Sequence, residues 1–105
     1  MQKLNLQLYR ITSVRDLRTR YFNGSSPVDE QEVGLVPLYG DNRESFICEL
    51  VDVYTSSNYH PGQVVVADVR YRQCKKCGHC HDIAYAYHFE PLKGVEMLGL
   101  EGEVI

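Results

Sequence analysis

What this 105-residue chain lacks narrows its possible functions first. It has no tryptophan and no apolar run near the roughly 18–20 residues that a membrane-crossing helix needs. That excludes a helical membrane span and a membrane partner of that kind. There is no glycine-rich phosphate loop, dinucleotide fingerprint or serine elbow. The usual signatures of nucleotide hydrolysis, hydride transfer and serine hydrolysis are therefore missing. Glu49 and Asp52 do not form a carboxylate pair, because strand alternation sends them to opposite faces. A non-enzymatic protein is the expectation. Basic charge is not in excess either: the net charge is −3, which excludes a uniformly basic nucleic-acid binder. The start, Met1 to Arg10, is too polar for a secretory signal, so a reducing cytoplasm is the expected compartment. There, clustered cysteines point to metal or redox chemistry more than to disulfides.

The modest net charge hides segregation. Residues 1–25 carry +4, residues 26–69 carry −7, residues 70–81 carry +4 and residues 82–105 carry −4. Two positive segments could form one basic edge if the fold brings them together.

At this length a single domain spanning residues 1–105 is expected. Its class reads as α+β, mainly β. Residues 3–11 alternate, with Leu4, Leu6 and Leu8 on the apolar side of a half-buried strand. Val14, Leu17, Tyr21 and Phe22 recur at helical spacing behind Ser13, a weak N-cap, so the spacing predicts one short helix over 14–22. Residues 32–39 carry Gly34 and Pro37 and read as an edge or irregular strand. Residues 45–54 have apolar groups on both faces and suit a central strand. Residues 63–73 form the strongest strand. In residues 82–90 Ile83 and the aromatics Tyr85, Tyr87 and Phe89 share one face at period two, against Ala84, Ala86 and His88, which predicts a strand with the tyrosines on its apolar side. A further short strand is expected around 95–100. Successive strands from residue 45 onward suggest a meander, and the whole reads as a small antiparallel sheet curled into a barrel or roll.

The chemistry is concentrated in Gln73-Cys74-Lys75-Lys76-Cys77-Gly78-His79-Cys80-His81. Three of the four cysteines and two of the four histidines lie there. Cys-x2-Cys-Gly at the tip of a β-hairpin is the pattern of a zinc knuckle, in which Gly78 lets backbone N–H groups turn toward the thiolates. Residues 74–78 resemble half of a zinc ribbon; the second Cys-x2-Cys of a full ribbon is missing. The meander places Cys48 opposite Val69, about 16 Å of strand from Cys74, so the loop must supply its own ligands. Cys74, Cys77, Cys80 and His81 are the expected Zn²⁺ ligands, with His79 the alternative to His81. An iron–sulfur cluster, with Cys48 as its fourth ligand, is the alternative cofactor.

A metal so placed staples the hairpin. Around it, Arg70, Arg72, Lys75 and Lys76 make a basic tip suited to partner or nucleic-acid contact. Two functions follow. One is a small zinc-binding module that binds and modulates a larger protein or nucleoprotein. The other is an RNA- or DNA-binding adaptor working through the basic tip. The overall acidity favours protein binding, since free duplex DNA would be repelled. Tyr85 and Tyr87 could stack bases, but as members of an apolar face they read as core.

Overall fold

The structure is a computed structural model that describes residues 3–21, 23–73 and 82–92. The chain forms β1 (Gln7–Val14), β2 (Arg18–Arg20), β3 (Val28–Pro37) and β4 (Phe46–Val51), then a 3₁₀ turn at Asp52–Tyr54, then β5 (Val64–Gln73) and β6 (Asp82–Pro91). All six strands belong to one mixed sheet in the order β1-β5-β6-β4-β3-β2. Because β1 also pairs with β3, the ladders close into a ring of five strands, with β2 continuing β1 along the first part of β3. No helix among the described residues is long and apolar enough to cross a membrane.

Side chains from all five ring strands fill the interior: Tyr9 and Ile11, Val33 and Leu35, Cys48 and Leu50, Val65 and Ala67, Ala86 and Phe89. Tyr9 meets the Phe46 ring edge-on at 5.8 Å, and Tyr59 meets Phe89 the same way at 5.3 Å.

Several expectations are corrected. No α-helix occurs among the described residues; Val14 closes β1 and residues 18–20 form β2. The helical spacing of Val14, Leu17 and Tyr21 is real, but a helix there would have nothing to bury it against. Leu17 is 40% and Tyr21 79% exposed. The β-branched residues Ile11, Thr12, Val14 and Thr19 instead favour extended backbone, and β3 supplies the partner. Residues 32–39 are no edge: β3 is flanked by β1 and β2 on one side and β4 on the other. Pro37 is tolerated because it is the last residue of β3. Gly34 lies where β1 bulges between Ile11 and Ser13, and a Cβ there would lie 2.5 Å from both Ser13 Oγ and Thr12 Oγ1, which would have to move aside.

The meander is also corrected. β6, not β5, lies beside β4, and it runs parallel to it, so the sheet is not wholly antiparallel. The first strand, expected over 3–11, begins only at Gln7; the buried residues of β1 are Tyr9 and Ile11, while Leu4 and Leu6, which precede it, are 47% and 48% exposed. The pairings Tyr9↔Val65 and Ile11↔Leu35 set this register, and a slip of one residue would exchange the two faces. The expected strand near 95–100 lies outside the described residues.

Candidate macromolecule-binding face

The expected ligands Cys74, Cys77, Cys80 and His81, the alternative His79, and Lys75 and Lys76 all lie outside the described residues. The stems on either side are described. β5 and β6 stay paired to Gln73↔Asp82, so residues 74–81 join two paired antiparallel strand ends. Among the described residues no cluster of three His, Cys, Asp or Glu side chains could hold a metal ion.

Cys48 pairs with Val33 on one side and Ala84 on the other, and Ala84 pairs with Tyr71. It therefore sits level with Tyr71 rather than Val69. The thiol nevertheless points into the ring interior, with no measurable exposure. Burial, reinforced by the Glu49 carboxylate, pushes its pKa up to about 12. Such a thiol stays protonated and behaves as a core residue.

The residues that sequence reasoning misplaced are the tyrosines of β6. Ala84 and Ala86 are the buried members, and Tyr87 is 40% exposed on the opposite face. Tyr85 lies between them, half-buried. Phe89 returns to the core because the β5–β6 register shifts between Asp68 and Val69, leaving Tyr87 without a cross-strand partner. That bulge reverses the alternation. Tyr54 helps hold it: its hydroxyl donates to the Tyr87 carbonyl at 2.9 Å, and its ring meets His88 edge-on at 6.1 Å. The available signal was the pair of alanines, whose small side chains suit a narrow interior and leave the larger partners outside.

Arginines from β5 share this outer face. The Arg70 guanidinium lies 3.6 Å from the centroid of the Tyr87 ring, a cation–π contact. Arg70 is aimed by Asp68, to which it donates two hydrogen bonds, Nε to Oδ1 at 3.2 Å and Nη2 to Oδ2 at 3.0 Å. The Asn5 N–H donates to the same Oδ2 at 3.1 Å. Hydrogen bonding from Arg70, helped by Asn5 and against the cost of burial, holds the Asp68 carboxyl below the usual carboxylate range; the same bond raises Arg70.

Arg72 reaches across β6 and donates to Glu49 Oε2 of β4 at 2.9 Å. The strand between them carries Tyr85, which pairs with Glu49 on one side and Arg70 on the other. Glu49 also stands directly opposite Glu32 of β3. Like charges so placed repel, and the arginines relieve them: Arg18 lies 3.8 Å from Glu32, and Arg20 lies 2.8 Å from neighbouring Glu30. Ile47, Val51 and Val53 are exposed beside this row, at 48%, 39% and 87%. A cleft of about 440 Å³ between Val14, Arg15, Asp16, Arg18 and Glu32 carries the other part of that charge network.

Comparison with protein-family models, with curated proteins and with solved structures finds no match to this chain.

Proposed function

We propose that the protein is a small non-enzymatic binding module that engages nucleic acid, alone or within a nucleoprotein, through the outer face of β5 and β6 and the cationic tip that follows. One observation carries this reading. The tyrosines face outward, with Arg70 stacked over Tyr87 on the side that also holds Arg72. Aromatic faces interleaved with guanidinium groups are what stack bases and attract phosphates. Lys75 and Lys76 continue the same charge, and residues 70–81 contain no acid. Closure of the five-strand ring, with β6 parallel to β4, leaves this face turned outward and supports a small barrel as the scaffold that presents it.

In this reading Cys74, Cys77, Cys80 and His81, with His79 as the alternative to His81, hold one Zn²⁺ and brace the tip. Three thiolates and an imidazole are a donor set that fits tetrahedral zinc. Elemental analysis with an absorption spectrum tests it: one zinc per chain and no colour is expected, whereas a brown protein containing iron would replace zinc by an iron–sulfur cluster.

A second reading, docking of a protein partner, rests on exposed Ile47, Val51 and Val53 beside the arginine–carboxylate pairs. Arginine and tyrosine are also favoured at the centres of protein interfaces. The two readings separate in a gel shift against mixed-sequence RNA and DNA. The variant Arg72→Glu/Lys75→Glu/Lys76→Glu should lose a shift that the wild type shows and that weakens with salt. A wild type that shifts neither RNA nor DNA removes the nucleic-acid reading and leaves the protein one.

A further inference from the structure

The geometry of the outer face points to a narrower ligand than nucleic acid in general, and this step rests on the reading just given. We propose that β5 and β6 bind an unpaired strand, with two successive bases on Tyr85 and Tyr87 and a phosphate that draws Arg72 away from Glu49.

The spacing is the first argument. Tyr85 and Tyr87 are two residues apart on one strand face, which would set their origins about 6.8 Å apart in a regular antiparallel strand; the bulge at Tyr87 shortens this but cannot bring it down to one base step. Bases within a duplex follow one another at about 3.4 Å along each strand. Two neighbouring bases can therefore occupy both rings only when they are unstacked and drawn out, as in a single strand. A duplex keeps those faces inside its own stack.

The cations are placed to match. Arg70 is the cross-strand partner of Tyr85, and Arg72 that of Ile83, so both side chains start one strand away, about 4.8 Å across the ladder, and reach over the aromatic row: Arg70 backs one face of the Tyr87 ring and Arg72 spans the strand that carries Tyr85. A strand running along β6 would have its bases on the tyrosines and its phosphates within reach of these guanidinium groups.

The third argument is the position of the Arg72–Glu49 pair. It spans the strand that carries Tyr85, and its side chains are 53% and 33% exposed. An ion pair this exposed holds weakly. It can open to exchange a carboxylate for a phosphate, which uncovers Tyr85 in the same movement. Glu49 is then a built-in competitor. It neutralises Arg72 until a strand arrives, and Glu32 opposite raises the cost of leaving Glu49 alone.

The test uses the full chain and fluorescence anisotropy of labelled oligothymidylate and oligouridylate of about 12 nucleotides, with a duplex of equal length. Single strands should bind at least about tenfold tighter than the duplex, a difference of about 1.4 kcal/mol. The thymidylate and uridylate arms report whether deoxyribose or ribose is preferred; tight binding of either supports the proposal. Tyr87→Ala should weaken binding by about 5- to 150-fold, while Tyr87→Phe stays near wild type. Glu49→Gln should tighten binding, because Arg72 then meets the phosphate without giving up a carboxylate. Glu49 lies outside the core, so this gain does not depend on a fold being damaged. Duplex binding equal to or tighter than single-strand binding overturns the inference while leaving the nucleic-acid reading in place. So does a Glu49→Gln variant that binds no tighter than the wild type. Failure to bind any of the three probes overturns both.

Discussion

Replacing Asp68 by asparagine tests how the Arg70–Tyr87 stack is held. The carboxylate accepts three hydrogen bonds, two from Arg70 and one from the Asn5 N–H. Hydrogen bonds to a charged partner contribute roughly 1.5–3 kcal/mol each. Asparagine keeps one acceptor oxygen, so part of the set survives, but its amide now turns a donor toward a guanidinium. Removing one member of a fully buried ion pair would cost about 3–5 kcal/mol. Here the cost is smaller. Asp68 is only 2% exposed, yet Arg70, whose side chain is 24% exposed, provides part of that cover rather than the ring interior. Water therefore screens the pair more than the exposure of Asp68 suggests. We expect a loss of about 1–2 kcal/mol, seen as a fall in Tm of about 4–16 °C for a domain of this size. The pH dependence supplies an independent check. A carboxyl whose folded pKa lies below its unfolded value of about 3.9 stabilises the fold fully above that value, and the contribution disappears as pH falls through the lower, folded pKa. The gap between wild type and Asp68→Asn should be constant from about pH 5 to 8 and should close below about pH 4. Circular dichroism melts across that range measure it. A Tm unchanged at neutral pH, or a gap just as wide in acid, would refute the account of Asp68 as the group that aims Arg70.

Other outcomes follow from the core and the bulges. Leu50→Ala, at a side chain with no exposure, should cost about 2–5 kcal/mol in urea unfolding, while Leu6→Ala should stay within about 0.5 kcal/mol. Equal costs would mean that the strand faces are assigned the wrong way round. Gly34→Ala should cost about 1–3 kcal/mol, because its Cβ would collide with Ser13 and Thr12 at 2.5 Å; a neutral effect on urea unfolding would show that the β1 bulge can move aside. Cys48, buried with its pKa pushed up to about 12, should escape iodoacetamide at pH 8 in the native protein and react after unfolding, as read by peptide mapping. Labelling at the rate of an ordinary exposed thiol would contradict its place in the core.

The sequence by itself was enough to place strands over residues 45–54, 63–73 and 82–90, which form as Phe46–Val51, Val64–Gln73 and Asp82–Pro91, because alternation is a local property of a pleated strand; that the first stops at a 3₁₀ turn over Asp52–Tyr54 and the last is bulged was not legible in it. It was also enough to join the last two across the cysteine segment, since neighbouring strands with a short connection pair readily. Which face of each strand is buried was another matter. Leu4, Leu6 and Leu8 look like the apolar side of the first strand, and Tyr85 and Tyr87 like the apolar side of β6, yet the strand starts only at Gln7 and the buried residues are Tyr9 and Ile11, and Ala84 and Ala86. Alternation has two phases of equal local merit, and only cross-strand register and a bulge choose between them. The same holds for the helix expected over 14–22. Its spacing was a local property, whereas β3 as a partner on that side was not. The parallel placement of β6 beside β4 brings Glu49 into one row with Tyr85 and Arg72, which follow it in the chain by 23 residues or more. No local pattern records such a meeting, because it depends on how the ring closes.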